Sequence, residues 1–215
     1  CDTKKTLRMA KELAVKANLP LIVHPSRCTD KVEEILEVLD RDDVYAHTYS
    51  PVSPGIFDEN GKLKKAMWDA MERGVRFDLS HGSNNFGYDM ARSAIQQGFV
   101  VETISTDLHL GNYTKPGIRL AGVMTKAIQA GIPLADALKK VILTPSALLH
   151  VAPKAPAIQV GQTADITVFT VRHDGIELPD VIGKVETCRT VVQDVATVIG
   201  GCLNRSFKTA VPCED

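Results

Sequence analysis

Apolar residues recur at helical spacing at Leu7, Ala10, Leu13, Ala14 and Ala17, and the run LPLIVH that follows is short, continuous and apolar, as in strands buried on both faces. The same alternation repeats along the chain. Asp30 with Glu33 three residues later predicts a capping box that opens a helix whose Val32, Ile35, Leu36 and Leu39 share a face, and DVYAHTY is the next strand. Leu63, Ala66, Met67, Ala70 and Met71 predict a third helix stopped by Gly74, followed by VRFDLSH as a strand. Met90, Ala91, Ala94 and Ile95 predict a fourth, ended by Gly98, before the strand FVVETIST. A fifth helix through Leu120, Ala121, Met124, Ala127 and Ile128 closes at Gly131 and Pro133. After it come a shorter helical piece from Leu134 to Ile142 and the segment TPSALL, where Thr144 can cap and Pro145 take the first helical position.

Strands separated by single helices pair in parallel through right-handed crossovers. Four such strands, near residues 20–24, 43–47, 75–81 and 99–107, make half of a (β/α)₈ barrel. A doubly wound open sheet is the alternative, although a Gly-rich phosphate loop after its first strand is missing. From about Pro153 the texture changes: GQTADITVFTV and CRTVVQDVATVIGG are rich in Val, Ile and Thr without a helical period, predicting antiparallel strands of a small β-sandwich unit with VRHDGIELPD as its loop. The expected division is residues 1–152 for the barrel part and 153–215 for the β-unit.

The polar residues that end the four strands are His24, His47, His81 and Asp107. The C-terminal rim of a βα barrel is where strand ends and loops face one mouth, so these side chains would converge there. Imidazoles and a carboxylate form a ligand set for zinc and similar divalent ions, with a coordination position left for water. In that arrangement Asp107 is both the last ligand and the base that takes a proton from the water. One histidine ending a strand is usually a satisfied polar residue; four polar residues in register are a site. His109 lies in the loop beyond Asp107, open to substrate or to solvent, while His150 and His173 are read as structural. The loops also carry Arg27, Tyr49, Tyr113 and Arg119, each able to meet a carboxylate or stack on a ring.

Bulk composition narrows the partners. The 215 residues are 44% hydrophobic, enough for a sizeable core. Lys+Arg 25 against Asp+Glu 26 leaves no electrostatic footprint for nucleic acid or an anionic membrane, and no apolar run approaches the ~20 residues of a membrane span. The five cysteines (Cys1, Cys28, Cys188, Cys202, Cys213) form no C-x-x-C pair, which points to scattered thiols in a reducing, cytoplasmic setting. The opening on Cys1 reads as a truncated or processed start, without a signal peptide.

The blocks LPLIVHPS, VYAHTYSP, GVRFDLSHGSNNFGYDMA, ISTDLHLGN and GQTADITVF, with Thr-Pro-Ser-Ala between the last two, resemble in their order the amidohydrolase superfamily, and within it the dihydroorotase-like deacetylases, over residues 5 to 201. The resemblance implies a (β/α)₈ barrel with a binuclear centre, in which His24 on the fifth strand and His47 on the sixth bind one metal and Asp107 on the eighth binds the other. His81 with Gly82 matches the seventh-strand block on the substrate side, with no ligand role implied. The implied activity is hydrolysis of an amide, cyclic amide or ester of a small molecule by metal-activated water. The first-strand His-x-His pair and the fourth-strand bridging lysine of the superfamily are not in this sequence; Lys4 and Lys5, at the start of a helix, do not replace it. The expectation is therefore a fragment carrying half of the ligand set, whose cut barrel face favours association into a homo-oligomer. The competing reading is a non-catalytic oligomeric scaffold that keeps the barrel and has lost its metals.

Overall fold

The computed structural model of the chain describes residues 3–52, 55–149 and 158–205. The expected boundary at 152/153, His150, Cys1, Cys213 and residues 206–215 lie outside them. Six helices are described: α1 (Thr3–Ala17), α2 (Val32–Leu36), α3 (Lys65–Arg73), α4 (Tyr88–Gln96), α5 (Leu120–Ala130) and α6 (Leu134–Leu148). Between the first four run β1 (Ile22–Val23), β2 (Val44–Tyr45) and β3 (Arg76–Phe77), a parallel sheet in sequence order with Val44 opposite both Ile22 and Arg76.

The segment expected as a fourth strand runs beside β3 without forming a regular ladder. It is held by a parallel bridge between Asp78 and Thr103 and by the Leu79, His81 and Gly82 N–H groups, which donate to the carbonyls of Thr103, Ser105 and Thr106. Phe77 packs edge-on to Phe99 at 4.9 Å, and Trp68 of α3 meets the same ring at 5.3 Å, so the inner layer joins strand to strand and strand to helix. Leu36, Met67, Ala70, Ala91, Ala94, Val123 and Ala127 turn the outer helices onto that layer.

Two local expectations shift. The cap of α2 is Lys31 rather than Asp30, and the carboxylate that reaches back belongs to Glu34, which accepts from the Lys31 N–H at 3.1 Å. Lysine has no acceptor to return, so only half of a capping box forms. TPSALL does not start a new helix either: α6 passes through Pro145. Leu134, Leu138 and Val141 anchor this helix against the core, and that burial outweighs the amide hydrogen bond a proline omits.

The later strands are β4 (Ile166–Arg172), β5 (Ile176–Pro179), β6 (Val185–Cys188), β7 (Val191–Ile199) and β8 (Cys202–Arg205). β4, β7 and β8 form one antiparallel sheet, and β5 pairs with β6. The stretch expected as a loop is thus mostly strand, because Ile176 and Leu178 pack against the core and only the residues around Gly175 (φ 81°) turn. These strands dock on α4 and α5 through polar contacts: Asp180 accepts from the Tyr88 N–H, Glu186 receives Arg92 at 2.7 Å, and the Thr125 hydroxyl receives the Val192 N–H at 2.9 Å. Among the described residues no helix is long and apolar enough to cross a membrane.

Candidate metal centre

Three short strands and one bridged segment end in the same region, and after β2, β3 and the bridged segment the backbone bends sharply. His47 (φ 60°), Ser80 (φ 43°), Gly82 (φ 55°) and Asp107 (φ 47°) all adopt left-handed conformations. For a non-glycine residue that costs of order 1 kcal/mol or more, and it persists where the surroundings over-determine it. Here the bends re-aim side chains that a continuing strand would send to alternate faces. His24 is steered differently: the buried Pro25 after it disfavours a helical backbone, so the chain leaves β1 extended.

The result brings together His24, His47 and Asp107, whose ligand atoms lie within 4.8 Å of one another. His47 Nε2 is 2.6 Å from His24 Nδ1 and 3.9 Å from the Asp107 carboxylate, and the two imidazoles stand perpendicular with centroids 4.2 Å apart. His47 is 3% exposed, whereas His24 and the Asp107 side chain reach solvent, so the cluster has a protein side and an open side. His47 Nδ1–H donates to the Ser80 carbonyl at 2.5 Å, which leaves Nε2 with its lone pair facing the other two groups. Burial pushes the His47 ring below its ordinary value, against the Ser80 carbonyl, and a neutral imidazole is the form that ligates a metal.

A surrounding layer of polar groups fixes this geometry. Asn112, fully buried, accepts from the His109 N–H and donates to the Asp107 carbonyl at 2.9 Å, holding the loop that carries Asp107. The buried Asp78 carboxylate accepts from the Thr103 and Ser105 hydroxyls, at 2.6 and 2.5 Å, and clamps the segment leading to Asp107 onto the end of β3. Asn85 receives the hydroxyls of Ser26 and Ser50, tying together the loops that follow His24 and His47. At Gly82 a β-carbon would stand 2.7 Å from the Asp107 carboxylate and 3.0 Å from the Asn85 amide.

His81 stands apart from the three. Its ring is 3% exposed, stacked on Phe86 at 5.2 Å, with Nδ1 at 2.8 Å from the Gly82 carbonyl and Nε2 at 3.0 Å from the Lys126 ammonium. Burial, and then the neighbouring Lys126 charge, push it down to about 3. An unfolded histidine titrates near 6.5, so between pH 6.5 and 3 the unfolded chain binds the extra proton and stability falls as pH falls. Urea unfolding of the full-length protein is expected to show His81 contributing up to about 1.4 kcal/mol per pH unit across that window. The slope should flatten in His81→Gln; equal slopes in both proteins would contradict the buried neutral ring.

Of the other candidates, Tyr49 belongs to the core, its hydroxyl between the Phe99 carbonyl and the Val101 N–H. Tyr113 is exposed on the loop beyond Asp107. His109 accepts from the Gly111 N–H and faces the Ser83 hydroxyl at 3.3 Å at the rim. The residue that sequence reasoning passes over is Lys126; its signal is a lysine on the same helical face as Val123, Ala127 and Ala130, a face otherwise apolar.

No family model matches the chain. Among curated proteins it is similar to a deacetylase of Enterococcus faecalis, 30% identical over 198 residues, covering 91% of this chain and 53% of that protein. A deacetylase of Agrobacterium fabrum is 28% identical over 194 residues, covering 90% and 47%. The chain thus spans about half the length of the curated relatives it matches. Among solved structures, an adenine deaminase superposes with TM-score 0.86 at 28% identity over 93% of this chain and 55% of its own, and a dihydroorotase with TM-score 0.83 at 27% identity over 93% and 52%.

Proposed function

Starting from a resemblance to the amidohydrolase superfamily that covers most of the chain in sequence and in α/β fold, we propose that it carries strands five to eight of a metal-dependent hydrolase barrel, followed by strands of a small β-sandwich. The observation that carries this reading is the convergence of His24, His47 and Asp107 ligand atoms within 4.8 Å, just beyond β1, β2 and the segment bridged to β3. A scaffold without metals gains nothing from two imidazoles and a carboxylate crowded on the open side of a sheet. The superfamily resemblance implies two metals, with the remaining ligands on the part of the relatives that this chain does not span.

The residues fit a divalent cation, zinc above all, because His47 presents a lone pair fixed by Ser80 and the third donor is a carboxylate. When bound, such an ion supplies Lewis acidity and lowers the pKa of water to roughly 7. His24 and His47 would hold it through their ring nitrogens. Asp107, with its side chain reaching solvent, would take a proton from the attacking water and return it to the leaving amine or alcohol. The substrate is an amide, cyclic amide or ester of a small molecule. The resemblance assigns the block at His81 and Gly82 to the substrate side; His81 is buried as a whole residue, its N–H donating to the Ser105 carbonyl and its carbonyl accepting from the Asn85 N–H, so it would border the site from behind and shape it through its neighbours.

Elemental analysis of the full-length polypeptide is the test. Stoichiometric zinc or a similar divalent metal, lost on substitution of His47, supports the hydrolase. A full-length protein without metal leaves the oligomeric scaffold as the better reading.

A further inference from the structure

Lys126 of α5 is 1% exposed. Its stem runs past Gly117, where a β-carbon would stand 2.9 Å from its Cε and 3.1 Å from Leu178, so the lysine fills a slot that only glycine leaves open. A buried ammonium has lost its hydration and needs an acceptor. The acceptor here is His81 Nε2 at 3.0 Å. Lysine brings only donors, so Nε2 must present its lone pair and the ring proton belongs to Nδ1, which donates to the Gly82 carbonyl at 2.8 Å. The stacked Phe86 ring keeps the imidazole from turning.

That chain of donors ends on the backbone between the candidate ligands. The Ser80 carbonyl accepts from His47, the His81 N–H donates to Ser105, and the Gly82 N–H donates to Thr106 beside Asp107. We propose that Lys126 is a positioning residue of the candidate metal centre: by donating to His81 it fixes the Ser80–Gly82 turn, which orients His47 on one side and borders the Asp107 carboxylate on the other. The inference rests on the metal-site reading above.

Lys126→Met in the full-length protein separates positioning from mere support of the fold. Methionine fits the apolar slot and removes the buried charge but leaves the buried His81 Nε2 without its donor, so the melting temperature is expected to fall by no more than several degrees and the fold to persist. Zinc affinity is expected to fall about tenfold or more, as for loss of a group that orients a ligand. In the metal-free protein, the His81 Nδ1 proton is expected to exchange slowly with solvent by NMR in the wild type and rapidly in the variant. His81→Gln, which can keep an acceptor for Lys126 but has no N–H at the Nδ1 position that donates to Gly82, should lower zinc affinity likewise and decides the matter if Lys126→Met does not fold. Zinc affinity within twofold of wild type in either folded variant, or a wild-type ring carrying its proton on Nε2, overturns the proposal. If the wild type takes up no zinc, the metal-site reading fails, and the metal-free NMR comparison still decides whether Lys126 fixes the ring.

Discussion

Asp107→Asn in the full-length protein is expected to keep its fold and lose turnover by about a thousandfold, in the range attributed to a positioned acid–base group. The backbone at Asp107 is left-handed, φ 47°, and asparagine is among the residues that tolerate that conformation best. The Asn112 amide bonds the residue 107 carbonyl, which the substitution leaves in place. What changes is the side chain: an amide cannot take the proton that a carboxylate takes. Rates measured against amide and ester substrates at saturating zinc, with circular dichroism to verify the fold, should therefore show a collapse in kcat. A variant within tenfold of wild type would remove Asp107 from the proton-transfer role.

The meeting of His24, His47 and Asp107 in one candidate site was legible because their chemistry interrupts the scaffold. LPLIV, VYA and FVVETIST are strand-like segments followed at once by His24, His47 and Asp107, and metal-competent side chains in that position are conspicuous in a linear sequence. The same interruption explains why the strands are shorter than their apolar runs. Regular pairing covers two residues in each of β1, β2 and β3, and the ladder gives way before His47, Ser80 and Asp107 bend into left-handed backbone. Sequence periodicity reports which residues are buried, and burial extends beyond the ladder: Leu79, Val101 and Ile104 are core residues outside any regular strand. The His81–Lys126 pair was not legible, because the partners are 45 residues apart and a lysine on a helix reads as solvated until tertiary packing encloses it. Ile176–Pro179 was missed for a related reason: Asp174–Gly175 and Pro179–Asp180 look like loop punctuation, and only pairing with Val185–Cys188 makes the residues between them a strand.

Gly82→Ala is expected to be the most damaging small substitution on the candidate site, more so than its single methyl suggests. The backbone there has φ +55°, where a β-carbon costs of order 1 kcal/mol, so some stability is lost before any contact is counted. The new methyl would meet the Asp107 carboxylate at 2.7 Å, closer than real β-carbons approach, and the Asn85 amide at 3.0 Å, a tight contact. Asp107 hangs on a short side chain whose backbone is pinned by Asn112, and Asn85 is pinned by Ser26 and Ser50, so relief comes mainly by rotating the Asp107 carboxylate away from His47. A displacement near 1 Å of a catalytic group costs about a hundredfold in rate. The expected signature in the full-length protein is a melting temperature lowered by a few degrees with kcat down about a hundredfold. Asn85→Ala on the Gly82→Ala background relieves the amide contact alone and should recover little activity. Full recovery in that double variant would place the decisive contact at Asn85 and not at Asp107.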